Sequence, residues 1–262
     1  MNSKNAKVTV IVASCDAYSD LWEPFSRLFK RYWPNCPYDV VLVTESSVSE
    51  PERYVFDRIV SCGKGVGWGD RLVMALQQLQ TPYVILLCDD YFLCDQVDTS
   101  KIEKIVGWAE KYHSGYFLMV RTAETRPAFS ETEGLFELKK GRGYCVGTQA
   151  GVWDVRFLEY LAFGCNSIWE FERLGSFKCV GWDQPILGTL KMVFPFEDVV
   201  HKGRWEVHGV RLCDRNDIDI DYSRRKQMTD LMMAKEYLKG AILKINPTLV
   251  LRIQNFLKLG HK

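Results

Sequence analysis

Two adjacent carboxylates, Asp89 and Asp90, close an apolar run, Tyr83–Cys88, and the chain turns apolar again at once with Tyr91, Phe92 and Leu93. Like charges side by side repel, and taking each out of water costs several kcal/mol unless a counter-charge is present. A divalent cation is the simplest compensation, so the pair reads as a metal site. The alternative is that one Asp caps the following turn and the other stays solvated.

Other side chains able to do chemistry fall at comparable places. Asp16 follows the apolar run Val8–Ala13, and Glu45 follows Asp39–Thr44 directly. Gly63, Gly65, Gly67 and Gly69 alternate through a loop that contains Trp68 and leads into Asp70 and Arg71. A backbone of this kind can approach a ligand closely, as a phosphate cradle does, although its spacing matches neither the P-loop nor the dinucleotide fingerprint. In open α/β sheets ligands lie beyond the carboxyl ends of the strands. A parallel arrangement of these runs would bring Asp16, Glu45, the Gly loop and the Asp pair to one edge.

The elements that must position these residues alternate along the chain. Val8–Ala13, Asp39–Thr44 and Tyr83–Cys88 are β-branched, apolar runs of the kind buried on both faces of a parallel sheet, with a weaker strand at 54–60. Helical spacing predicts helices at 20–31, stopped by Pro34; at 70–80, with Asp70 as N-cap; and at 100–112, with a Ser100…Glu103 capping box. Beyond these the pattern predicts a strand at 116–121, a loop at 121–134 and a hairpin at 135–147 centred on 139–143. Helices are expected at 153–162 and 166–175, another opens at 181–185, and a strand occupies 192–196. The fold class is therefore α/β, a mostly parallel sheet flanked by helices. The tail adds a helical hairpin, two amphipathic segments at 224–239 and 248–259 broken by Gly240 and Pro247.

Length and charge bound the partners. With 262 residues the chain fits one large α/β domain, 1–212, and a helical extension, 213–262. A net charge of +1 argues against a nucleic-acid partner. From residue 222 onward nine Lys/Arg face two acids, a net of +7 that leaves −6 for the rest, a polarity suited to an anionic surface. The nine cysteines show no Cys-x-x-Cys pair or zinc-ligand spacing, so free thiols and a reducing cytoplasm are expected. Residues 1–7 are polar, no apolar stretch reaches about 18 residues, and neither a signal peptide nor a membrane span is expected.

Together, Arg71-Leu-Val-Met-Ala-Leu76, Thr81-Pro-Tyr-Val-Ile-Leu-Leu87, Cys88-Asp-Asp-Tyr-Phe-Leu93, Ile168-Trp-Glu-Phe-Glu172 and His201-Lys-Gly-Arg-Trp205 make most of 8–205 resemble the GT-A glycosyltransferases. The resemblance is to bacterial enzymes that build surface polysaccharides of the capsule and O-antigen type. It implies a Rossmann-like sheet, a nucleotide sugar as donor (a UDP-sugar favoured), and Mn or Mg held on the diphosphate by the Asp pair. Asp16 and Glu45 would lie against base and ribose, and Trp68, Asp70 and Arg71 would flank the nucleotide. The family's Asp-X-Asp stands here as Asp89-Asp90-Tyr91. Aligned as X-Asp-Asp, it puts Asp90 on the metal with Asp89 beside it. His201 reads as a further metal ligand or as a hydrogen-bonded structural residue. Lys202 and Arg204 sit in a Gly-containing segment able to close over the site and to add positive charge to the leaving group.

An inverting transfer also needs a base for the acceptor hydroxyl. Glu170 and Glu172 stand where such an acid is expected, although Ser167…Glu170 also reads as a capping box. Asp183 is a further candidate, with helix capping as its alternative. Trp153, Trp169, Trp182 and Trp205 are candidate sugar platforms or core. The acceptor implied is a glycan or a polyprenyl-linked one. The basic tail would lie on the inner face of the membrane, as in a peripheral protein, or join two copies of the chain. A sugar nucleotidyltransferase would carry a basic Gly-rich loop after the first strand, which 14–18 lacks, and a haloacid dehalogenase phosphatase would place its Asp pair there. A transferase-like scaffold would have lost the metal carboxylates, and both are present.

Overall fold

The structure, a computed structural model, describes residues 7–120, 128–141 and 145–234. The first half runs β1 (Val8–Ala13), α1 (Trp22–Tyr32), β2 (Asp39–Thr44), β3 (Arg58–Ser61), α2 (Trp68–Leu76), β4 (Tyr83–Cys88), β5 (Tyr91–Leu93) and α3 (Thr99–Lys111). The second runs β6 (Tyr116–Leu118), β7 (Ala128–Ser130), β8 (Leu135–Glu137), β9 (Gly151–Asp154), α4 (Val155–Ala162) and α5 (Ile168–Lys178). It ends with β10 (Ile186–Thr189), β11 (Phe196–Asp198), β12 (Val200–His201), β13 (Arg204–Trp205) and α6 (Val207–Asp214).

The three apolar runs are strands with the expected bounds, and every residue of β1 and β4 is buried. The main sheet has the order β3-β2-β1-β4-β9-β6-β10-β8-β7. β3, β2, β1, β4, β6 and β10 point one way, and β9 is inserted antiparallel between β4 and β6. That inversion matters for the site: because β9 runs backwards, the residues that lead into it, 148–150, arrive at the edge where β1 and β4 end. Two short pairings extend this edge. β5 pairs with β11, placing Asp198 across from Tyr91, and β12 with β13 forms a hairpin turning at Lys202 and Gly203. Both turn residues have positive φ, 49° and 73°, the conformation a tight two-residue hairpin turn requires.

Several local expectations are corrected. The first long helix begins at Trp22, after a 3-10 turn at Asp16–Leu21, and α2 begins at Trp68 rather than 70. Asp98, not Ser100, caps α3, accepting from Ser100 N and Lys101 N. The weak strand is β3, later than 54–60, and residue 121 lies outside the described residues. A hairpin forms between β7 and β8, turning within the expected loop, and β8 also pairs with β10; residues 142–144 of the hairpin expected at 135–147 lie outside the described residues. Trp153 belongs to β9, stacked on Tyr116 at 3.7 Å, and α4 starts only after Asp154 caps Phe157 N at 2.9 Å. Residues 182–185 make no helix; apolar Ile186 and Leu187 carry the chain into the sheet as β10. β11 begins at Phe196, where the strand expected at 192–196 ends.

Beyond α6, residues 224–228 fold back on the sheet domain. Trp205 N donates to Lys226 O at 3.0 Å and Met228 N to Trp205 O at 2.8 Å, so this segment runs beside the hairpin. Arg225 forms a buried two-point ion pair with Asp20, at 3.1 and 3.2 Å, and its guanidinium lies 4.3 Å over the Tyr18 ring. Within the expected helix 224–239, residues 224–228 are not helical and helix begins at 230; the rest of that helix and 248–259 lie outside the described residues. No helix among the described residues is long and apolar enough to cross a membrane.

Candidate active site

β1 and β4 are in register, Ala13 opposite Cys88, so Ser14 and Asp89 leave the sheet side by side. A cavity of about 740 Å³ opens there, at the edge where the carboxyl ends of the parallel strands meet. Asp89 is buried, and its carboxylate accepts from the Ser14 hydroxyl, which in turn accepts from Trp22 Nε1 at 2.7 Å. Burial, then the neighbouring Asp90 charge, pushes the Asp89 carboxyl well above its ordinary range. Asp89 is thus tied to Ser14 in the wall of the cavity.

Asp90 faces outward into the cavity and meets a residue that sequence reasoning missed. The β5–β11 pairing carries Asp198 to it, with Val199 N donating to Asp90 O at 3.0 Å. Burial first, and the Asp198 charge second, raise the Asp90 carboxyl to about 7. Asp198 is itself raised, by burial and by Glu206, while His201 and His208 pull it back. The signal was present in the sequence: Phe194, Pro195 and Phe196 end in Glu197-Asp198, an apolar stretch closed by two acids as at 89–90.

A second wall comes from α5. Ser167 caps this helix through Glu170 N at 3.2 Å, and the Glu170 carboxylate turns back to Asn166 N at 2.8 Å, one residue before the cap and outside the cavity lining. Glu172 lines the cavity instead. Its Oε1 accepts from Thr148 N at 3.0 Å and Thr148 Oγ1 at 3.1 Å, so the residues entering β9 fix its orientation. Trp169, 76 % exposed, stands at the rim. Trp153 and Trp205 are core, and Trp182 packs on Phe157 and Tyr160.

On the α2 side, Arg71 and Trp68 line the cavity. Arg71 is 7 % exposed and bonds Glu45 at 3.2 Å and Val66 O at 2.9 Å. Glu45 Oε2 accepts from Asp16 N at 3.0 Å, and the Asp16 carboxylate accepts from Ser46 N at 3.0 Å and Ser46 Oγ at 2.6 Å. Asp16 and Glu45 thus stand behind Arg71, outside the lining. At the helix that follows the Gly loop, Trp68 N and Gly69 N donate to Asn166 O and Cys165 O at 3.1 and 2.7 Å, which takes up two of the free donors of the α2 N-terminus. Asp70, expected as N-cap, lies in the first turn with Gly67 as the cap, and accepts from Gly164 N at 2.9 Å.

The β12–β13 hairpin supplies His201, Lys202 and Gly203 to the cavity, whereas Arg204 falls outside its lining. Asp183 is exposed in the loop before β10, with no helix to cap and away from the cavity. Of the residues singled out from the sequence, the cavity therefore gathers Trp68, Arg71, Asp89, Asp90, Trp169, Glu172, His201 and Lys202.

No cluster of three or more His, Cys, Asp or Glu side chains forms a ready metal cage among the described residues. Two acids that line the cavity, Asp90 and Asp198, offer hard oxygens whose mutual repulsion a cation would relieve. Two carboxylates with the remaining positions left to phosphate oxygens and water is how Mg is commonly bound, so the donor set fits a cation that arrives with a diphosphate.

No family model and no curated protein matches this sequence. Among solved structures, the chain is similar to UTP-bound UGPase from Acinetobacter baumannii, with 11% identity over 89% of this chain and 98% of that one, at a TM-score of 0.54. It also matches Staphylococcus aureus TarS 1–349 (13% identity, 72% of this chain, TM-score 0.46) and the mannosyltransferase PcManGT from Pyrobaculum calidifontis in complex with GDP-Man and Mn2+ (16%, 75%, 0.46). The chain spans 59% and 58% of the length of those two. Likeness at these identities is one of fold, and the fold is α/β of the Rossmann-like GT-A kind, with a large mostly parallel sheet between helices.

Proposed function

We propose that the chain is a metal-dependent glycosyltransferase that moves a sugar from a nucleotide diphosphate sugar, a UDP-sugar preferred, to a glycan or polyprenyl-linked acceptor of bacterial polysaccharide synthesis, with inversion. The observation that carries this reading is one cavity with two chemically distinct walls: Asp90 with Asp198 where the strands end, and Glu172 on α5. Mn or Mg, when bound by Asp90 and Asp198, supplies positive charge to the departing diphosphate.

The chain's own residues divide the remaining work. Glu172 takes the proton of the acceptor hydroxyl on Oε2, its Oε1 being held by Thr148. Arg71, fixed by Glu45, and Lys202, on the hairpin turn, add cationic charge on the nucleotide side. Asp89 holds Ser14 and the β4 end in place, and Trp169 offers an aromatic face to a sugar at the rim. The basic segment 235–262 would approach the inner membrane face or a second copy.

A nucleotidyltransferase of similar fold has a phosphate as nucleophile, already ionised, and needs no base in the position of Glu172. The two readings separate in one assay. The protein is incubated with Mn and a panel of UDP-sugars, or with UTP and sugar 1-phosphates. UDP release from the first set supports transfer to an acceptor or to water; pyrophosphate from the second alone would make the chain a nucleotidyltransferase. Absence of any metal-dependent UDP binding would leave a scaffold.

A further inference from the structure

One seam beside the cavity holds chemistry that the transfer does not use. Residues 145–148 run along α5 and are laced to it at successive turns. Thr148 holds Glu172, Val146 N donates to Ser176 Oγ at 3.1 Å, and at the far end Cys145 Sγ lies 3.6 Å from Cys179 Sγ. Gly175 allows the approach, since a Cβ there would stand 3.0 Å from Val146 Cγ1. Both thiols are buried and both point at one acceptor, Ser176 O, at 3.7 and 3.3 Å.

We propose that Cys145 and Cys179 are a modification site, a thiol pair that a peroxide oxidises to a disulfide, stapling 145–148 to α5 and locking the wall that orients Glu172. The Cys145 thiolate attacks one oxygen of hydrogen peroxide, giving a sulfenic acid and hydroxide. The Cys179 sulfur then attacks the Cys145 sulfur and water leaves. Two thiols are oxidised and the peroxide is reduced to two waters. Three features support the assignment. The sulfurs need close only from 3.6 Å to about 2.05 Å. The oxidant is little larger than water and can reach a buried pair. A hydrogen bond from the Cys179 thiol, first among several, lowers Cys145 to about 6, which makes it the attacking sulfur. A disulfide across a contact that already exists closes a 34-residue separation without rebuilding the seam, so it stabilises the fold.

The test uses the full chain. Reduced protein is exposed to stoichiometric hydrogen peroxide, alkylated with N-ethylmaleimide under denaturing conditions, digested and mapped by mass spectrometry, with melting followed in parallel. The expected result is one dithiothreitol-reversible link between the Cys145 and Cys179 peptides, two hydrogens lighter than the thiols, and a melting temperature higher by roughly 5 °C. Cys179→Ser removes the link and the rise, and leaves Cys145 as a sulfenic acid that dimedone traps. Recovery of both cysteines alkylated, a link from either to a different cysteine, or a link that lowers the melting temperature would overturn the proposal.

Discussion

Asp90 and Glu172 differ from their near neighbours Asp89 and Glu170 in what already holds them. Asp89 is committed to Ser14 and Glu170 to Asn166, while Asp90 lines the cavity with Asp198, and Glu172 lines it with only Oε1 held, by Thr148. The difference predicts opposite outcomes for two isosteric changes. Asp90→Asn should weaken Mn-dependent UDP binding at least about tenfold. Asp89→Asn, at a side chain already tied to Ser14, should leave it within about threefold; equal losses in calorimetry would mean that both ligate. A pH dependence follows from the same pair. A carboxyl raised to about 7 in the folded state holds its proton more tightly there than in the unfolded chain. Its contribution favours the fold at low pH and is lost as pH rises from about 4 through about 7. Urea titrations without metal should therefore show this stability falling across that window, with a flatter profile in Asp90→Asn and recovery on adding Mn and UDP.

At the scale of elements, α2 shows how the site is framed. A Cβ at Gly69 would stand 2.0 Å from Ala162 O and 2.8 Å from Cys165 O, so Gly69 lets α2 lie against the end of α4. Gly69→Ala should cost about 1–3 kcal/mol, the range for overpacked sites, read from urea midpoints; an unchanged midpoint would mean that the contact yields freely. The loop's glycines were visible in the sequence as a close-approach signal, and at Gly67 and Gly69 what approaches is the protein's own chain at 162–166. Periodicity cannot tell a ligand from a neighbouring turn. The buried strands Val8–Ala13, Asp39–Thr44 and Tyr83–Cys88 were legible to the residue because each is apolar throughout and ends in polar residues. Asp98 and Asp154 were missed as caps because each abuts another polar or apolar run that masks the boundary. Asp198 was missed because only long-range pairing of β11 with β5 brings it to Asp90.

At the scale of the molecule, residues 224–225, after α6, are tied back to the turn before α1. Arg225 reaches 205 residues back in sequence to Asp20, and the pair is buried on both sides, 5% and 3% exposed. Removing one partner of a buried pair strands the other, a loss of about 3–5 kcal/mol. Arg225→Met should lose that much stability, and the double change with Asp20→Asn should lose less than the sum of the two, as coupled neighbours do; additive losses would show that the pair does not hold this segment.

The proposed transfer needs one cavity with Glu172 as base. The most direct measurement is UDP release from a UDP-sugar with Mn, water serving as acceptor, beside calorimetric UDP affinity, for wild type and Glu172→Gln. Release should fall at least about 100-fold, as loss of a general base does, with UDP affinity unchanged within about twofold. Full release by Glu172→Gln, or release and affinity lost together, would contradict it.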